Sequence, residues 1–190
     1  MYKEYQEKLI EKLQQTKFTT SDNILLDFES GMEYLLGLFS KVKQNGKQVI
    51  FVGNGGSAAI ASHMTADFMK NGGMKTLNLY DCAVSTCMSN DFGYEFIFSK
   101  PLEFLIQEKD LLVAISSSGN SKNIINAVNI ARQKIAEIVT FSGFKANNTI
   151  RGMGELNVYV PIEEYGIVES IHNLILQQIV DVILERDACI

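Results

Sequence analysis

Apolar positions along the chain follow two different periods. Over residues 2–15, Tyr5, Leu9 and Leu13 recur every four residues. A longer segment, 22–45, sets Ile24, Leu25, Phe28, Met32, Leu35, Leu36 and Phe39 on one stripe. Both spacings match the α-helical period and predict two amphipathic helices. Such a pair cannot bury its stripes alone and must pack on the rest of the chain or on another subunit.

From residue 48 the pattern changes to short β-rich runs alternating with helical spacing. QVIFVG, TLNLY, LLVAIS, EIVTFSG and LNVYVP read as strands, apolar and often β-branched. Between them, 57–70, 93–107 and 121–134 read as helices. A final helix over 167–185 is apolar nearly all round, which predicts deep burial or a place at an interface. Strands alternating with helices imply a parallel sheet covered on both faces, with right-handed crossovers. There is no internal repeat and no Pro-rich linker; Pro101 and Pro161 are the only prolines. The expected organisation is one domain over 1–190, with residues 1–45 as a helical extension for packing or oligomerisation and 46–190 as the α/β core.

Composition narrows the function classes. A net charge of −5 argues against nucleic acid or an anionic membrane as the partner. It leaves room for a small anion, which backbone N–H groups and hydroxyls can hold without lysine. No apolar run reaches the roughly 18 residues of a spanning helix. The N-terminal MYKEYQEKLIEKLQQ is charged throughout, unlike a signal peptide. Cys82, Cys87 and Cys189 are odd in number and lack metal-pair spacing, as expected of reduced thiols in a cytoplasmic protein.

Two strand-to-helix junctions carry the candidate chemistry. VGNGGSAAIASH takes QVIFV through Gly53, Asn54, Gly55, Gly56 and Ser57 into a helix. SSSGNS, Ser116 to Ser121, does the same after LLVAIS. In a doubly wound sheet, ligands sit outside the carboxyl ends of the strands, where these junctions fall. A tight turn points free N–H groups at one spot, the helix N-terminus adds about half a positive charge, and serine hydroxyls add compact donors. The second junction therefore reads as an anion cradle. Neither junction fits G-x-G-x-x-G or the Gly-Lys-Ser/Thr of a P-loop, which weakens dinucleotide and NTP readings.

GNGGSA, followed about sixty residues later by SSSGNS after DLLVAIS, resembles the sugar isomerase (SIS) domain, and more closely the phosphoheptose isomerases. The similarity extends through the N-terminal helices, SNDFGYEFIFS and the last helix. It implies a three-layer α/β sandwich with a five-stranded parallel flavodoxin-like sheet and a helical extension at the N-terminus. It also implies a phosphorylated sugar held through Ser116, Ser117, Ser118 and Ser121. Asn54, Gly55, Gly56 and Ser57, with Asn90 and Asp91, would surround the sugar. Members of the family are homodimers or homotetramers, so the same is expected here.

The reaction implied is aldose–ketose isomerisation, sedoheptulose 7-phosphate to D-glycero-manno-heptose 7-phosphate. It needs a base that moves a proton between neighbouring carbons and a group that moves protons between the oxygens. Matched to the family pattern, His63 fits the first-helix histidine, Asp67 stands where the family has Glu, Glu169 stands for Gln, and Gln177 stands for the catalytic His. His172 matches another histidine of the last helix. His63 and Asp67 are i, i+4 on one helix face, and Glu169 and His172 lie within about 60° of each other on theirs. Catalytic candidates are therefore Asp67, Glu169 and His172, with Gln177 available to complete the substrate pocket. His63, Asp67, Glu169 and Gln177 are the set that would hold zinc, as in some family members. Because Gln has no useful pKa near neutrality, the family's proton-transfer scheme does not carry over unmodified. Two further readings stand beside an isomerase with a rearranged acid–base set: a non-catalytic SIS module that binds a sugar phosphate for regulation, and an isomerase of a different phosphosugar.

Overall fold

A computed structural model describes residues 1–188; Cys189 lies outside the described residues, and Cys82 and Cys87 are exposed free thiols. The chain begins with α1 (Tyr2–Gln14), followed by a short antiparallel hairpin of β1 (Lys17–Thr20) and β2 (Leu25–Leu26). Then come α2 (Phe28–Gln44), β3 (Gln48–Val52), α3 (Gly56–Lys70), β4 (Lys75–Leu77), α4 (Cys82–Phe92) and α5 (Ser99–Leu105). β5 (Leu111–Ser116), α6 (Lys122–Gln133), β6 (Glu137–Ser142), β7 (Leu156–Tyr159) and α7 (Tyr165–Ala188) complete the order.

The sheet runs β2-β1-β7-β6-β5-β3-β4. Its five strands from β3 onward are parallel to one another and in the flavodoxin order, as expected. Strand side chains alternate between two apolar layers. Val49 and Phe51 of β3 join α2, α3 and α7 on one face, and Ile50 and Val52 join α5 and α6 on the other. That is why the central strands read as unbroken apolar runs. Phe39, Phe51 and Phe68 form a ring cluster in the first layer, Phe39 and Phe68 stacked at 4.5 Å between centroids.

The expectation of five strands is corrected to seven. The first residues of the segment read as the second helix, 22–26, instead complete a turn and β2, which pairs with β1 just before them. Thr20 N–H donates to Ile24 O at 3.0 Å, and Asn23 takes a left-handed φ of 62°. Ile24 and Leu25, assigned to the helical stripe, are exposed. The helix begins only at Phe28, where the Asp27 side chain accepts from Ser30 N–H at 2.9 Å and caps it. The expected helix over 93–107 is shorter, and α4 precedes it unforeseen. α7 has the length and apolar composition of a membrane span, yet half of that window is buried inside the protein, as in a core helix.

Candidate active site

β3 and β5 are neighbours, and the strand order reverses between them. β3 leads through Gly53–Gly55 into α3, and β5 through Ser117–Ser121 into α6. A cavity of about 370 Å³ opens where the two junctions face each other.

One wall is the serine loop. Gly119 makes the turn with φ +65°, and its N–H meets Ser116 O at 2.9 Å and Ser116 Oγ at 3.2 Å. A Cβ there would sit 2.1 Å from Asn148 Oδ1, in a conformation that L side chains avoid, so glycine is required on both counts. Ser121 is the N-cap of α6, yet its hydroxyl makes no capping bond and lies 3.4 Å from Ser116 Oγ. Ser117 Oγ is buried with no partner. Ser118 also lines the cavity. The first N–H groups of α6 add donors, because the opening turn of any helix leaves them unpaired. The unpartnered Ser117 hydroxyl, the neighbouring serine hydroxyls, spare N–H groups and a helix N-terminus together have the chemistry to hold a small anion.

The facing wall is Asn54, Gly55, Gly56 and Ser57, closed by Glu169 and Tyr165 from α7. A Cβ on Gly56 would fall 2.2 Å from Glu169 Oε2, so the carboxylate lies directly against the first turn of α3. Burial pushes the Glu169 carboxyl above its ordinary pKa. Tyr165 stands edge-on to Phe144 with centroids 4.8 Å apart.

The β3–α3 loop is braced from outside the cavity. The Tyr80 hydroxyl accepts from Gly53 N–H at 2.6 Å and donates to Gly53 O at 2.9 Å, holding one residue at both polar atoms. Asn54 and Asn123 exchange amide hydrogen bonds at 2.9 and 2.8 Å. The Tyr94 hydroxyl donates to Asn54 Oδ1 at 3.0 Å.

Of the residues singled out in the sequence, Asn54, Gly55, Gly56, Ser57, Ser116, Ser117, Ser118, Ser121 and Glu169 line this cavity together. The others do not. His172 is fully buried, its Nε2 3.1 Å from Ser142 O and its ring edge-on to Phe141. Burial drops its pKa to about 4, so it is a neutral core side chain and reaches no ligand. Asn90 and Asp91 sit on exposed α4 and bond to each other at 2.9 Å. Gln177, two helical turns beyond Glu169, donates to Asp181 at 2.9 Å. His63 and Asp67 pair at 3.1 Å on α3, beyond the cavity lining.

The donor set for zinc does not assemble within one chain. Among the described residues, no group of three His, Cys, Asp or Glu side chains is placed to hold a metal ion. The residues present therefore do not fit the implied metal. Sequence reading missed Tyr165, Tyr80, Tyr94 and Asn123. Tyr94 lies in SNDFGYEFIFS, Tyr80 ends the strand-like run TLNLY, and Asn123 comes two residues after the serine loop.

Comparison with known proteins identifies the family and agrees with the fold. Residues 4–143 match the model of the SIS domain. A phosphoheptose isomerase of Haemophilus ducreyi is 36% identical over 138 residues, 70% of each chain. One from Glaesserella parasuis is 32% identical over 180 residues, 88% of this chain and 91% of that protein. Among solved structures, the phosphoheptose isomerase of Neisseria gonorrhoeae superposes with a TM-score of 0.82 at 25% identity, over 96% of both chains.

Proposed function

The chain belongs to the SIS domain family and, within it, to the phosphoheptose isomerases, and from that premise we propose how its own residues carry the reaction. It is an isomerase that interconverts sedoheptulose 7-phosphate and the corresponding aldoheptose 7-phosphate. The serine loop holds the phosphate through Ser116, Ser117, Ser118 and Ser121. The sugar extends from there toward Asn54, Ser57 and Glu169.

Glu169 is the base. It is the carboxyl that lines the cavity, and its burial-raised pKa brings it closer to the range where a carboxylate both takes and returns a proton. It removes the proton from the carbon beside the carbonyl, leaving an enediolate; the neighbouring hydroxyl passes its proton directly to the charged oxygen, and Glu169 returns the carbon-bound proton to the adjacent carbon as the new carbonyl forms. Asn54 and Ser57 supply hydrogen-bond donors to the oxygen on which charge develops. His172 is left out of this scheme, because a neutral histidine sealed in the core exchanges no proton with a ligand. Asp67 is left out because it pairs with His63 beyond the cavity lining. No step runs through a metal. The observation that carries the reading is the Glu169 carboxylate against Gly56 in a cavity whose other wall is the serine loop.

Proton NMR with sedoheptulose 7-phosphate in D₂O tests it. The wild type should form an aldoheptose phosphate with deuterium entering at C2. Glu169→Gln should abolish turnover with ligand affinity nearly unchanged. Full activity in that variant would remove Glu169 from the mechanism. No turnover by the wild type, with the ligand still bound, would favour a binding module or another phosphosugar.

The assembly is a homodimer or homotetramer in this reading. Met1, Tyr2, Tyr5 and Ile10 of the N-terminal segment, and Phe104 of α5, are large apolar side chains left exposed on one chain. Light scattering after size exclusion measures the mass directly, and a monomer would refute the assignment.

A further inference from the structure

The amide pair between Asn54 and Asn123 joins two loops that come from different strands, 69 residues apart in the chain. Asn123 is 2% exposed and lies in the first turn of α6, immediately behind the serine loop. Its orientation is fixed, because Asn123 Oδ1 accepts the backbone N–H of Ile124 at 3.0 Å as well as Asn54 Nδ2. Asn123 Nδ2 must then face Asn54, to which it donates. Asn54 Oδ1 accepts that bond and a second one from the Tyr94 hydroxyl, which uses both lone pairs of a carbonyl oxygen. Of the two hydrogens on Asn54 Nδ2, one goes to Asn123. The other is the only polar function of this side chain left for a ligand, in a residue that lines the cavity.

We infer that Asn123 and Tyr94 are positioning residues: they orient Asn54 so that it offers the substrate one fixed N–H and no acceptor, and they tie that donor to the phosphate-holding helix. Resting on the isomerase reading, the consequence is specific. A lone donor suits a sugar oxygen that gains negative charge as the carbon-bound proton leaves, and it is useless to a hydroxyl that must donate. Because the donor is tied through Asn123 to α6, its place is set in part by the same element that grips the phosphate. Phosphate and reacting carbon are thereby held at a fixed separation, which is the condition for an oriented, effectively intramolecular proton transfer.

Two variants and two readouts test the assignment. Tyr94 is 57% exposed, so Tyr94→Phe removes one hydroxyl at little risk to folding. Asn123→Ala removes the buried partner. Steady-state rates with sedoheptulose 7-phosphate give kcat and KM, and inhibition by inorganic phosphate reports the serine loop alone. Both variants should lose kcat by about tenfold or more, as misplacement of a reacting group does, with the phosphate inhibition constant within twofold of wild type. The second readout needs no turnover: solvent exchange of the Asn54 side-chain amide protons, followed by ¹H–¹⁵N NMR, should quicken at least fivefold in Tyr94→Phe. A kcat within twofold of wild type overturns the inference. So does a phosphate constant that worsens in step with kcat, which would make the pair a plain support for the loop. If the wild type proves inactive, the isomerase reading fails, and the amide exchange still decides whether Tyr94 holds Asn54.

Discussion

Burying His172 makes the fold acid-sensitive in a way that one substitution can isolate. The ring is fully buried, donates from Nε2 to Ser142 O at 3.1 Å, and leaves Nδ1 buried without a partner. A second proton would have to go on Nδ1, where nothing receives it, so burial lowers the pKa from 6.5 to about 4. The unfolded chain takes up that proton below about pH 6.5 and the folded chain only below about pH 4, so the unfolded state binds more protons in between. Stability therefore falls with pH across that window, by about 1.4 kcal/mol per pH unit, and this group adds no further loss below it. Between pH 7 and pH 4.5 the loss amounts to about 2 to 3 kcal/mol. His172→Gln keeps a donor for Ser142 O and carries no charge at any pH. Urea unfolding of both proteins at several pH values, taken as a difference, cancels the titration of the carboxylates they share. The wild type should start more stable than the variant and lose about 2 to 3 kcal/mol relative to it on acidification over that range. A difference that stays constant would refute the reasoning, since His172 would then titrate as it does in an unfolded chain.

Other outcomes follow from the site. Gly56→Ala sets a methyl group into the Glu169 carboxylate, the far end of a flexible side chain; thermal unfolding should change little, while kcat falls by about a hundredfold. Ser118→Ala with Ser121→Ala removes two hydroxyl donors to a charged group, and calorimetric affinity for inorganic phosphate should drop by about a hundredfold; an unchanged affinity would undo the assignment of the cradle. Because burial raises the Glu169 pKa, the base is lost to protonation earlier on acidification, and the acid limb of kcat/KM should lie above the 4.5 of an ordinary glutamate.

The parallel core was legible because both of its signals are local. A central strand buried on both faces is a continuous apolar run, and a phosphate turn needs Gly and Ser at fixed places. The N-terminal hairpin was not legible by period alone. Ile24 and Leu25 fall in helical phase with Phe28 and Met32, yet Ser21, Asp22 and Asn23 are turn formers and Phe18, Thr19 and Thr20 favour strands. Turn chemistry outweighed the spacing. At the site, residues within a junction were found and those that meet across it were not. Glu169 and His172 were both singled out by their places in the family pattern of the last helix. Glu169 lines the cavity and His172 is a core residue, since helical phase alone does not say how far along its axis a side chain lies from a cavity. Asn123 and Tyr94 carry no periodicity, and their part depends on contacts between distant segments.

The added hairpin has a consequence for how the protein survives at high concentration. Without it, β7 would end the sheet as a four-residue strand with a full row of unpaired N–H and C=O groups, a template for strand addition by another molecule. β1 covers that row and hands the outer position to β2, which is two residues long, while the opposite border is the three-residue β4. Both borders are thus too short to recruit a neighbour. A shortened version starting at Phe28 would keep every residue that lines the cavity and uncover β7, so aggregation rather than lost chemistry is the failure to expect from trimming the first segment.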